Sequence, residues 1–159
     1  MIRDALISDE HLARLREIHA RVASYGTGGD QWLDTIVDLA NSFGCETFLD
    51  YRCGKGTLVT ILMATLGQHP FRRVTGYDPA VDGYDAEPPS ADLVTCTDVL
   101  DTVEPDKVAA VVRDVVRLAN RIAMFAVVTK PAPIFINGMR MKRRARPADH
   151  WIADIKAAV

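Results

Sequence analysis

The chain has 159 residues, of which 48% are hydrophobic and 25% charged, with a net charge of −2. That length and balance predict one soluble domain with enough core to fold without disulfide or metal staples. Three scattered cysteines (Cys45, Cys53, Cys96) form no CxxC pair, which argues against a disulfide framework or a zinc site and for a reducing compartment.

The N-terminus lacks an apolar run of secretory length, and nothing approaches the ~20 apolar residues of a membrane span. A cytoplasmic location is expected. The small net charge is unevenly spread. Residues 131–159 carry six Lys and Arg against two Asp, a local +4 that leaves −6 for residues 1–130. The excess sits in "RMKRRAR", Arg140 to Arg146, and bears on partners more than on fold.

In chain order, Leu12, Leu15, Ile18, His19 and Val22 recur at helical spacing over residues 9–23, with Ser8 or Asp9 as N-cap. "YGTGGD", Tyr25 to Asp30, breaks that helix. A second helix, about 30–42, places Leu33, Ile36, Val37 and Ala40 on one face and ends near Gly44. "TFLDY" reads as a short buried strand, and a helix follows Gly56 and stops at Gly67. "RRVTGYD" predicts a second strand ending at Asp78, and the turn-rich "PAVDGYDAEPPS" is too short for a helix plus a strand. "ADLVTCTDVL" gives a third strand, Glu104 to Asn120 a helix, and "RIAMFAVVT" a fourth strand. The remainder reads as irregular, then helical from about Pro147.

Strands alternating with helices predict an α/β fold, with a mostly parallel sheet covered on both faces. No repeat, low-complexity tract or long linker divides it. The expected organisation is one domain over 1–159, with N-terminal helices (1–45), a βαβ core (46–130) and a basic substrate-side tail (131–159).

Ligands of open α/β sheets bind beyond the carboxyl ends of the strands. Asp50, Gly54 and Gly56 end the first strand, and Asp78 ends the second, 22 residues after Gly56. An acid there can accept hydrogen bonds from a ribose diol. A dinucleotide site requires G-x-G-x-x-G/A, but "GKGTLV" puts Val59 at the third small position. GxxxxGK[ST] is absent, which excludes a P-loop. The remaining adenosine cofactor is S-adenosylmethionine, whose ammonium suits an acidic turn.

"FLDYRCGKGTL", "GYDPAV" and "ADLVTCTDVLDTVEPDKV" resemble motif I, motif II and the fourth-strand motif of class I S-adenosylmethionine-dependent methyltransferases. Over roughly residues 17–155 the chain is similar to small methyltransferase-like proteins often encoded by bacterial viruses and prophages. These typically carry a Tyr-Gly pair before the first strand, then LDYGCGKG, YDPA, CTDVLEHVEPD, a DGRNAH segment and a tryptophan pair. The resemblance implies a Rossmann-like fold with a shortened C-terminal part. It implies that Asp50, Gly54 and Gly56 border the cofactor's methionine portion and that Asp78 binds the ribose. Asp98 would lie near the adenine or the transferred methyl, and Tyr25 and Gly26 would close over the cofactor.

The chain departs from that pattern in places. Arg52 stands at a family glycine, in the turn nearest the methionine portion. Its guanidinium could point outward, or fold inward and pair with Asp50 or Asp78. Asp101 replaces a glutamate and Thr102 a histidine that often faces the methyl. "NGMRMKRRA" lacks the DGRNAH histidine, and "DHW" keeps Trp151 and offers His150.

Methyl transfer from a sulfonium needs alignment and, for some acceptors, a base; the candidates are Asp98, Asp101 and His150. No [DN]PPY or Pro-Cys follows the fourth-motif strand, which argues against the usual routes of DNA base methylation. The run Arg140 to Arg146 could track phosphates of a nucleic acid, a nucleotide or a glycan, or be a solvated loop. Three functions stay open: methyl transfer to an unidentified acceptor, a degenerate non-catalytic binding module, and a basic-tail nucleic-acid binder.

Overall fold

The computed structural model describes residues 6–130, 134–136, 139–141 and 144–159. Helix α1 spans Asp9–Arg21, and Ser8 caps it by accepting the His11 amide proton. A 3₁₀ turn, Gly28–Trp32, precedes α2, Leu33–Phe43. That helix therefore starts later than its apolar spacing predicts, because the glycines at 28 and 29 favour a tighter turn over a helical start. Gly44 ends it in the left-handed region (φ 63°), open to any Cβ. Strand β1 is Thr47–Tyr51, helix α3 Thr57–Ala64, β2 Arg73–Tyr77 and β3 Ala91–Thr97. Helix α3 stops before Gly67, where the Thr65 hydroxyl turns back to the Ile61 carbonyl.

A 3₁₀ turn, Pro105–Lys107, leads into α4, Val108–Leu118. Proline at the start lacks the amide proton that a helix interior requires. Strand β4, Ala119–Ala126, follows with no intervening loop. The segment expected to be irregular contains a short antiparallel pair, β5 (Ile134–Ile136) and β6 (Met139–Met141). Helix α5, Ala148–Ala158, closes the described chain. No helix among the described residues is long and apolar enough to cross a membrane.

The main sheet has the order β2-β1-β3-β4, parallel throughout. The chain leaves β1 for β2 on one side and returns to β3 on the other, so a topological switch point falls beside β1, where open sheets leave a crevice. Strand alternation sorts the side chains onto two covered faces. Phe48 and Leu93 pack with Ile36 and Ala40 of α2 and Leu58 and Leu62 of α3. Leu49, Val94 and Cys96 pack on the opposite face with Val111, Val112 and Val115 of α4 and Trp151 of α5. Each such aliphatic side chain contributes roughly 1.5–3 kcal/mol when fully buried. On the second face the Tyr51 hydroxyl donates to Asp114, which Arg117 also grips. Helix α1 packs Leu12 and Leu15 against Ala80, in the loop after β2, and so lies over the carboxyl ends of the strands.

Candidate active site

The turn after β1 is built by backbone hydrogen bonds to its neighbours. The Tyr77 carbonyl, at the end of β2, accepts from the amides of Arg52 (2.6 Å) and Cys53 (3.0 Å). The Gly54 amide donates to Asp78 Oδ2 (3.1 Å), and the Ala80 amide donates to Asp78 Oδ1 (2.9 Å). Asp78 thus ties the turn of one strand to the loop of the next.

A third segment is docked on the same turn. Gly54 approaches Gly26 so closely that a Cβ at residue 54 would lie 2.5 Å from the Gly26 carbonyl oxygen. The Lys55 amide donates to that oxygen (2.9 Å), and Lys55 Nζ donates to the carbonyls of Val22, Ala23 and Tyr25. A cation at the carboxyl end of α1 satisfies its orphan carbonyls and complements the helix dipole. Lys55 therefore fixes the Tyr25–Gly26 loop over the glycine turn.

These segments enclose a cavity of about 500 Å³, within the usual range for a small-molecule site. Asp50 and Asp78, each 4% exposed, both line it. Asp50 accepts a hydrogen bond from Thr95 Oγ1 (3.2 Å). Burial pushes its carboxyl up to about 7; the Thr95 bond opposes the rise and the charge of Asp78 adds to it. Tyr25, Gly26, Gly54 and Asp98 also line the cavity. Asp98 follows β3 in the left-handed region (φ 56°) and accepts from Gln31 Nε2 (3.2 Å). Cys53 is in the wall, but burial and the charges of Asp50 and Asp78 push its thiol well above the usual range.

Three expected residues stand apart from the wall. Gly56 lies behind it with φ 71°, under the phenol of Tyr84, whose Oη would be 2.1 Å from a Cβ at residue 56. Asp101 is 1% exposed but does not line the cavity. It belongs to the turn beside Arg144, whose amide donates to the Asp101 carbonyl. His150 lies exposed in the first turn of α5, away from the cavity, because Trp151 is the residue that this helix turns inward.

Arg52 adopts φ 65°, the left-handed conformation that a glycine at this position would take freely. Its side chain lines the cavity, but Nη2 donates to the Leu6 carbonyl (3.3 Å) and makes no ion pair with Asp50 or Asp78.

The basic run is partly used within the fold. Arg144 Nη2 donates to the carbonyls of Leu100 and Val103. Arg146 pairs with Asp154 and stacks on Trp151, whose indole donates to the Val128 carbonyl. Residues 142 and 143 and the side chains of residues 140 and 141 lie outside the described part. Arg144 thus braces the segment after β3, and Arg146 the packing of α5.

The cavity also recruits residues whose sequence pattern carries no functional mark. His19, read as part of an apolar helix face, lines the wall beside Tyr25 (ring centroids 4.8 Å apart). Its Nδ1 is buried with no hydrogen-bond partner among the described residues. Burial lowers its pKa and so favours neutral imidazole, against the raising effect of the Asp78 charge. Leu15, Gln31 and Thr102 line the cavity as well. Of these, His19, a polar residue on an otherwise apolar helix face, was the one available signal.

No protein-family model matches the chain, and no curated protein matches it. Solved structures do. PigF with SAH superimposes with a TM-score of 0.58 at 16% identity, covering 98% of this chain and 58% of that one. The mitomycin 7-O-methyltransferase MmcR gives 0.54 at 14% identity, covering 82% and 48%. An O-methyltransferase family protein from Burkholderia thailandensis gives 0.52 at 17%, covering 97% and 57%. The chain thus spans about half to three-fifths of the length of these structures. The likeness is one of architecture: this chain has the Rossmann-like α/β fold found in class I methyltransferases.

Proposed function

We propose that the chain binds S-adenosylmethionine and transfers its methyl group to an acceptor still to be identified. One observation carries the reading: two buried carboxylates, Asp50 and Asp78, line a single cavity at the carboxyl ends of adjacent parallel strands. The donor set fits an adenosyl amino acid. Each oxygen of Asp78 accepts one backbone amide and keeps a lone pair for a ribose hydroxyl. Asp50 offers a carboxylate to an ammonium, and the absence of side chains at Gly26 and Gly54 lets the two loops that line the cavity pack directly on each other. The likeness in fold to a structure holding SAH supports the same assignment.

When bound, S-adenosylmethionine supplies a methyl group already activated on a sulfonium. The chain's own residues then exclude water, hold the acceptor in line, and take its proton where one must leave. Asp98 and neutral His19, both in the wall, suit that last task better than Asp101 and His150, which are not. In this reading residues 1–45 cover the cofactor, 46–130 hold it, and 131–159 complete the acceptor side. Three buried free cysteines agree with a reducing, cytoplasmic setting. Phosphate tracking by Arg140 to Arg146 is the weaker proposal, since Arg144 and Arg146 already have partners within the fold.

A second reading, a non-catalytic binding module, is favoured by Arg52, which brings a cation to a wall that would receive a sulfonium. Calorimetry with S-adenosylhomocysteine separates the two. Methyl transfer predicts binding by the natural protein in the micromolar range, about −8 kcal/mol. Binding that appears only in Arg52→Gly would instead support the module.

A further inference from the structure

Arg52 combines features that a worn-out turn residue would not be expected to keep. It holds a left-handed backbone conformation that costs a non-glycine residue on the order of 1–3 kcal/mol. Its guanidinium has five N–H donors, and among the described residues one of them is taken, by the Leu6 carbonyl at 3.3 Å. Among the described residues Nε is buried without a partner, and no carboxylate forms an ion pair with the group. A largely buried charge without a counter-ion is costly unless an anion arrives.

Its place in the cavity indicates which anion. Nη2 donates to the Leu6 carbonyl, just before α1, and the group makes no ion pair with Asp50 or Asp78. The guanidinium is therefore directed towards the start of α1 and not to the acid pair. Leu15, Val99 and Thr102 supply further parts of the wall on the α1 and β3-loop side. The acid pair suits the cationic, hydroxyl-rich cofactor, which leaves the guanidinium for the second reactant.

We infer that Arg52 anchors a carboxylate on the methyl acceptor, whose apolar body rests against Leu15 and Val99; this rests on the methyl-transfer reading above. A monoanion fits better than a phosphate dianion. One guanidinium faces a cavity that Asp50, Asp78 and Asp98 also line, and a second negative charge would meet those carboxylates unbalanced. The planar fork of arginine matches a carboxylate.

The test titrates benzoate, its uncharged isostere benzamide, and inorganic phosphate into the protein, with and without S-adenosylhomocysteine, followed by amide NMR shifts. Benzoate is expected to bind at least about tenfold more tightly than benzamide and than phosphate. Arg52→Gly and Arg52→Gln remove that preference and Arg52→Lys restores part of it, while affinity for S-adenosylhomocysteine moves by less than about threefold. Arg52→Gly relieves the backbone strain, so the test does not depend on the fold of Arg52→Gln. Equal binding of benzoate and benzamide, a preference surviving in Arg52→Gly, phosphate binding above benzoate, or S-adenosylhomocysteine binding gained only in Arg52→Gly would each overturn the inference. Failure of the natural protein to bind S-adenosylhomocysteine would sink the cofactor reading instead, because the benzoate preference is also read in its absence.

Discussion

Gly54 and Asp78, 24 residues apart, are joined by a buried hydrogen bond of 3.1 Å from the amide of one to the carboxylate of the other. The bond makes the cofactor-side acid also a structural acceptor. Asp78→Asn replaces one acceptor oxygen with a donor NH₂, leaving the amide of Gly54 or Ala80 unpaired. That should destabilise the fold by on the order of 1–3 kcal/mol in urea unfolding. Affinity for S-adenosylhomocysteine should fall about tenfold or more in calorimetry. Unchanged affinity would remove Asp78 from the proposed site.

Gly56 and Gly44 both have positive φ, yet their surroundings differ. A Cβ at residue 44 meets nothing within 4 Å, whereas one at residue 56 would overlap the Tyr84 phenol. Gly44→Ala should cost about 1–2 kcal/mol, the left-handed penalty alone. Gly56→Ala should cost a further ~1–3 kcal/mol for overpacking. A Tyr84→Ala background should erase that further part and leave the first. Equal losses for the two glycines in denaturation would contradict the packing described here.

Both acids of the proposed site were legible in the sequence because a strand–glycine–helix pattern fixes where a strand ends. Asp50 and Asp78 fall at those ends, and parallel pairing puts Asp50 opposite Gly76, one strand apart. The Ser8 and Gly44 caps were legible for the same local reason. Contacts that depend on distant segments were not. Gln31 reaches Asp98 across 67 residues, and the helical spacing of His19 is the same whether its face meets a core or a cavity. Asp98 and Asp101 are neighbours in sequence, but the turn that follows β3 sends the first to the cavity and buries the second beside Arg144. The β5–β6 pair did carry a local signal: Asn137-Gly138 stands in the sequence between apolar Ile134–Ile136 and the alternating Met139–Met141, a hairpin signature. The partners within the basic run were not legible either, because its charge says nothing of Asp154 or Trp151, against which Arg146 packs.

Arg52→Gly isolates the backbone term at the position where the family resemblance breaks. The substitution removes the left-handed strain and an unpartnered buried Nε, at the loss of one 3.3 Å hydrogen bond to Leu6. A net gain of about 1 kcal/mol in unfolding free energy is expected. A loss of stability would mean that the packing of the arginine stem outweighs the strain.

Asp50 gives the site a pH dependence whose sign follows from its raised pKa. Its carboxyl sits at about 7 in the fold against 3.8 in an unconstrained chain, chiefly through burial. Between those values the unfolded chain has lost the proton and the folded one retains it, so stability falls as pH rises. The contribution is complete below the unfolded value and gone above the folded one. Asp50→Asn, which can still accept from Thr95, should match the natural protein near pH 4. Towards pH 8 it should become more stable by up to about 4 kcal/mol. Ligand binding should run the opposite way. An ammonium beside Asp50 favours the ionised carboxylate, so S-adenosylhomocysteine should bind the natural protein more tightly at pH 8 than at pH 6. In Asp50→Asn that dependence should disappear. Calorimetry at both pH values, beside urea unfolding of the same two proteins, checks the pair of signs. A natural protein whose affinity is flat with pH would take the ammonium away from Asp50.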